Sequence, residues 1–155
     1  MKEYNIKRFV DAHERSYNLA LGEIRAGYKV SHWMWYIFPQ IKGLGHSEIA
    51  EYYAIEDLDE AKAYLKEPIL AEHMQEICEA LLENENSNAE EVIGWPDDLK
   101  LRSSMTLFAT VDPANDIYQK VLNKFFEGEP DEKTLELLRT QCLVKAGKRT
   151  GQLIK

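Results

Sequence analysis

The sequence predicts an all-α fold, a single compact globular domain of about seven to nine helices over residues 1–155. Three observations predict it. Apolar residues recur at intervals of three and four along most of the chain, helix-capping residues stand just ahead of those stripes, and no alternating pattern of useful length competes, apart from an extended reading of residues 32–38. With 155 residues, 45% of them hydrophobic, the chain is long enough to bury a core without staples.

Ile6, Phe9, Val10, His13, Tyr17, Ala20, Leu21 and Ile24 line one face of a long first helix that ends near Gly27. A second begins around Ser47. Asp57 with Glu60 has capping-box spacing and opens a short helix burying Leu58, Ala61 and Leu65. Pro68 suits the first turn of the next, whose inner side carries Leu70, Met74, Ile77, Cys78, Leu81 and Leu82. After the polar stretch 84–88, Ser87 with Glu90 predicts another capping box. The turn Gly94-Trp95-Pro96-Asp97-Asp98 leads into a helix over 99–109, capped by Asp97 or Asp98, with Leu101, Met105 and Phe108 on one face. Asp112 with Pro113 starts a helix along Ile117, Val121, Leu122, Phe125 and Phe126, and Asp131 caps a last one carrying Leu135, Leu137 and Leu138.

A formal charge of −8 repels phosphate backbones, so general nucleic-acid binding is disfavoured. Residues 142–155 reverse the sign locally, with Lys145, Lys148, Arg149 and Lys155 and no acid, and read as a solvated, frayed basic tail. Cys78 and Cys142 form no paired spacing, and no apolar run is long enough for a leader or a membrane span, which points to a reducing, cytoplasmic setting. No metal is expected, since His and Cys never stand at ligand spacing, and no cofactor is implied: Gly43-Leu44-Gly45 lacks the full dinucleotide fingerprint.

Two segments stand out. One is Ser31-His32-Trp33-Met34-Trp35-Tyr36-Ile37-Phe38-Pro39-Gln40, followed by Ile41-Lys42-Gly43-Leu44-Gly45-His46-Ser47; the other is Pro96-Asp97-Asp98-Leu99-Lys100-Leu101-Arg102-Ser103-Ser104-Met105-Thr106-Leu107-Phe108. Together with Asn5-Ile6-Lys7-Arg8-Phe9-Val10, Leu58-Asp59-Glu60-Ala61 and Asp131-Glu132-Lys133-Thr134-Leu135, they resemble the family filed as domain of unknown function 1810 (DUF1810) over nearly the whole chain. The resemblance implies a compact, mainly helical bacterial domain. It brings no established activity, substrate or catalytic residue.

Chemistry therefore has to come from the residues. So dense an aromatic cluster is either the centre of a core or the wall of a cleft. In the cleft reading, Trp33, Trp35 and Tyr36 stack on a ring, and Gln40, Lys100, Arg102, Ser103 and Ser104 hold an anionic or nucleotide-like small molecule, with Arg102 gripping its carboxylate or phosphate. His32, beside the aromatics, is the candidate for acid–base work, against a plain hydrogen-bonding role at a helix start. Arg102 has an alternative too, a helix pair with Asp98. Asp97-Asp98 reads as a cap rather than an acid and base, His13 and His73 as satisfied border residues, and the glycines before His46 as a turn whose following helix offers amides to an anion. In the competing reading the tryptophans are core or a protein-binding patch, and the domain is a non-catalytic interaction or structural module.

Overall fold

The computed structural model describes the backbone of residues 3–154 and the side chains of residues 3–144. Among them are nine helices: α1 (Lys7–Ala26), α2 (Met34–Ile37), α3 (Glu48–Tyr52), α4 (Leu58–Lys66), α5 (Pro68–Glu83), α6 (Ala89–Val92), α7 (Asp97–Val111), α8 (Ile117–Phe126) and α9 (Glu132–Ile154). The cations of the basic tail lie outside the described side chains. Among the described residues the one β feature is an isolated parallel bridge between Ile41 and Ile55. Residues 34–37 form a turn of helix, so the extended reading of 32–38 does not hold. The local aromatic run fits either backbone, and burial of Met34 and Ile37 three residues apart selects the helical one.

Helices α5, α7 and α8 pack on one another's flanks: α5 and α7 both contact α8, α1 lies along α5, and α4 bridges α5 and α7. Their shared core holds Phe9, Tyr64, Met74, Cys78, Met105 and Phe108, all buried. Cys78 is core: its sulfur lies 3.9 Å from that of Met74 and 3.8 Å from that of Met105, and burial pushes its thiol up, away from thiolate chemistry.

Capping follows the sequence at several ends. Gly27 takes the left-handed conformation (φ 102°) that closes α1, Ser47 accepts from the Ala50 amide, Asp57 from Glu60, and Asp131 from Thr134. Three ends differ. The cap of α6 is Asn88, one residue after Ser87, because its amide-bearing side chain already belongs to a ladder of Asn84, Asn86 and Asn88 carbonyls accepting backbone amides. Helix α7 starts at Asp97, whose carboxylate turns to Lys29 and Lys100 instead of capping. Helix α8 starts at Ile117; residues 112–115 form a turn first, closed by the Asn115 amide on the Asp112 carbonyl. The end of α5 is satisfied from another helix: Lys124 Nζ donates to the carbonyls of Leu81, Leu82 and Asn84, where a cation also suits the helix dipole.

Two carboxylates fix the loops. Glu23 on α1 accepts from the Val30 and Ser31 amides (2.7 and 2.9 Å), from Ser31 Oγ (2.6 Å) and from Trp33 Nε1 (2.9 Å). Partial burial alone would push its carboxyl up, but these donors outweigh that and hold it down to about 2. Glu60 is paired with Arg8 at 2.9 Å, both side chains more than nine-tenths buried. Arg8 also donates to the carbonyls of Tyr52 and Ala54, while Glu60 accepts from the Glu56 amide. Every polar atom of this buried pair thus has a use.

Glu23→Gln keeps the shape but removes the charge from four hydrogen bonds, and is expected to lower unfolding free energy by about 2 kcal/mol in denaturant titration. Because the folded carboxyl titrates below its ordinary value, this stabilisation is present above about pH 4.5 and is lost as pH falls towards 2; the variant should lack that part of the acid limb. Glu60→Ala strands the Arg8 guanidinium, with an expected loss of about 3–5 kcal/mol by the same measurement.

Candidate functional site

The bridge at Ile41 sets the first wall of a groove. Ile55 N donates to Gln40 O and Lys42 N to Ile55 O, both at 2.8 Å, so the loop after α2 is pinned to the α3–α4 connection. Gly43 (φ 109°) then turns the chain, and Gly45 passes so close to α3 that a Cβ there would lie 2.8 Å from that of Ala50. Opposite, the first turns of α7 present Leu99, Lys100, Arg102 and Ser103; the start of α9 closes one end with Asp131 and Lys133. Between these walls lies an open groove of about 260 Å³, lined also by Gln40, Leu44 and Gly45. A recess of about 10 Å³, just enough for one water, shares Gln40 and Gly45 with it and brings in Trp35 and Tyr53.

Helices α7 and α9 are stitched together at the groove. Thr106 Oγ1 donates to Arg102 O (2.8 Å) and accepts from the Asp131 amide (2.8 Å). Asp131 Oδ2 accepts from Thr134 N and Oγ1 and lies 3.1 Å from Ser103 Oγ, which is also 3.1 Å from Leu99 O; one hydroxyl proton serves only one of those two at a time. Arg102 Nε donates to the Glu129 carbonyl (3.0 Å), its Nη2 reaches the Glu129 carboxylate (3.4 Å), and the guanidinium lies 6.0 Å from the Phe126 ring centre. Lys100 pairs with Asp97 at 2.9 Å, and Asp97 is shared with the buried Lys29 at 2.8 Å. Burial of Asp97 acts to raise its carboxyl, and the hydrogen bonds and charges of the two lysines more than reverse it, holding it below the ordinary range.

Of the residues singled out in the sequence, the groove gathers Gln40, Lys100, Arg102 and Ser103, with Trp35 next door in the recess. The others lie elsewhere. Trp33 is 1% exposed, with its indole N–H spent on Glu23 and Lys29 over its ring at 5.1 Å, so it is a core residue with no face for a ligand. Tyr36 packs against Tyr53, its hydroxyl within reach of Ser16 Oγ (3.1 Å) and the His32 carbonyl (3.2 Å). Ser104 is fully buried, and its Oγ has no hydrogen-bond partner among the described residues. His32 is exposed and does not line the groove, so it stands apart from the cations it was grouped with. Arg102 pairs with Glu129 rather than Asp98, because its side chain points across to the turn before α9. The α3 amides are no anion site: Ser47 Oγ already takes one, and the helix has five residues.

Asp131 and Lys133 join the groove from 28 or more residues along the chain, and no local spacing announces them. A second polar cluster was also invisible: His13 and His73, read separately as border residues, meet. His13 Nε2 lies 2.9 Å from the Tyr36 carbonyl, which only accepts, so Nε2 carries the proton; Nδ1 of the neutral ring then accepts from His73 Nδ1 at 2.9 Å. Tyr17 stacks on His73 with ring centres 3.6 Å apart and donates to Glu76 at 2.6 Å. Burial lowers His13 to about 4, and it lowers His73 too, against the pull of Glu76, Glu72 and Glu67. The pair ties α1 to α5 and to the carbonyl of α2; it lines neither the groove nor the recess.

A model of a family described as a protein of unknown function, DUF1810, matches residues 3–138. The chain belongs to the DUF1810 family. The crystal structure of a conserved hypothetical protein from Mycobacterium tuberculosis is similar, with 43% sequence identity over 88% of this chain and 97% of that one and a TM-score of 0.86. No curated protein sequence matches. The DUF1810 fold is thus shared across both chains, and neither comparison names a ligand or a reaction. Among the described residues of this DUF1810 protein, no helix is long and apolar enough to cross a membrane, and no three His, Cys, Asp or Glu side chains gather as a metal site.

Because His13 and His73 titrate below the ordinary histidine value when folded, the unfolded chain takes up protons first on acidification. Their contribution to stability is complete above about pH 6.5 and lost as pH falls below it, in the case of His13 towards 4. Denaturant midpoints measured against pH should fall over that interval, and His13→Gln should flatten the slope there while lowering stability at neutral pH.

Proposed function

We propose that this protein binds a small anionic molecule in the groove between the 40–45 loop, α7 and the start of α9, in a reducing, cytoplasmic setting. One observation carries the reading: two segments some sixty residues apart, singled out in the sequence for unexplained polar groups, supply Gln40 to one wall and Lys100, Arg102 and Ser103 to the other. Three cations, an amide and a hydroxyl surround one concavity beside a single lining carboxylate, Asp131, on a chain whose formal charge is −8. Arg102 supplies a fork for a carboxylate or phosphate, Lys100 and Lys133 supply point charges, and Gln40 and Asp131 read hydroxyl or amine donors on the rest of the ligand. Leu44 and Leu99 cover its apolar part, and Trp35 offers an aromatic edge beyond Gln40. The reading is one of binding; His32, away from the groove, has no part in it.

The second reading, an interaction or structural module, has its own support in the burial of Trp33, Met34, Ile37 and Phe38, which makes most of the aromatic segment core. The two are compatible, since the core part of the segment holds Gln40 in place.

A thermal-shift screen against phosphate, pyrophosphate, sugar phosphates, nucleotides and carboxylates tests the groove. A ligand at about a hundred times its dissociation constant adds about 2.7 kcal/mol and a clear shift in Tm, which Arg102→Ala should abolish while retaining the fold. If no anion shifts the parent, the groove reading fails and protein partners become the question.

A further inference from the structure

Arg102 is engaged by Glu129 at the groove, and its two contacts with that residue differ in kind. The Glu129 backbone is fixed: its amide donates to Phe126 O at 3.0 Å, and its carbonyl accepts from Arg102 Nε at 3.0 Å. The Glu129 side chain is 74% exposed and reaches Arg102 Nη2 through a single contact at 3.4 Å, at the long end of hydrogen bonding. Lys100 makes a contrast, since its partner Asp97 is largely buried and locked between two lysines. One carboxylate of the groove's surroundings is therefore bolted down and one is hinged. With Nε held by the Glu129 carbonyl, a two-pronged grip on an anion needs Nη1 and Nη2 together, and the hinged carboxylate occupies Nη2.

We propose that the Glu129 carboxylate is a tethered competitor, an internal stand-in for the ligand's anionic group that must swing off Arg102 before the ligand binds. The proposal rests on the groove reading and adds its regulation. Arg102 stays oriented throughout, because the Glu129 carbonyl and the Phe126 ring hold the guanidinium whether or not the carboxylate is in place. A tethered carboxylate competes at an effective concentration on the order of millimolar. A bare monodentate anion gains little by the exchange. An anion carrying a second group for Lys133 or Gln40 does gain, so the site takes phosphate or carboxylate ligands with a further anchoring group and passes over simple salts.

Pyrophosphate, with two linked phosphates, is the probe. Its affinity is measured by calorimetric titration at low ionic strength for the parent, Glu129→Gln, Arg102→Ala and Glu136→Gln, an exposed change on α9 of equal net charge; melting curves check that each is folded. Glu129→Gln keeps the backbone carbonyl and removes the competing charge, so binding should tighten by about two- to five-fold, the range an exposed ion pair is worth. Glu136→Gln should do much less, and Arg102→Ala should lose binding. Binding that appears only in Glu129→Gln also supports the competitor. If the parent binds and Glu129→Gln binds no tighter, or if Glu136→Gln tightens equally, the competitor is overturned and the groove stands. If neither the parent nor Glu129→Gln binds, the groove reading falls and takes the competitor with it.

Discussion

The charge on Glu23 is the constraint from which the site side of this fold follows. Four donors converge on one carboxylate and fold the chain after α1 back onto it, which commits the Trp33 indole to the core. With Trp33 fixed, α2 can only run where Met34 and Ile37 are buried, and that places the Tyr36 carbonyl against His13. Four residues beyond Tyr36, Gln40 and then Lys42 meet Ile55 through the backbone, and the groove wall is in place. The sequence is a chain of satisfied polar groups, each leaving the next few alternatives.

A locally cationic groove on an acidic protein is an electrostatic arrangement with a cost. Unpaired cations at a concave surface would be exposed to each other, and the fold answers by giving Lys100 and Arg102 internal carboxylates. The two answers have different consequences. Asp97 belongs to a buried relay that runs through Lys29 to the Trp33 ring, so Lys100 is part of the frame. Glu129 belongs to a surface turn and leaves Arg102 exchangeable.

Much of this was legible in the sequence because it is local. Helix stripes, the Gly27 stop, the Ser47, Asp57 and Asp131 caps and Pro68 at a first turn all depend on residues within four positions of each other. Three of the departures share a cause: a side chain with a better partner far away leaves its local role. Asp97 gives up capping for Lys29, Arg102 passes over Asp98 for Glu129, and Trp33 exchanges any ligand face for Glu23.

The sequence by itself determined an all-helical class, an acidic character, most helix ends, and which two segments carry more polar groups than their own elements can use. Composition and short-range spacing are enough for these, because they reflect backbone preference and the period of a helix. Only the tertiary structure decided that Gln40, Arg102, Asp131 and Lys133 share a groove, that the two histidines hydrogen-bond to each other, and that Trp33 is core while Trp35 borders the site. Those facts depend on which helix faces which across dozens of residues, and helix packing, not spacing along the chain, sets that.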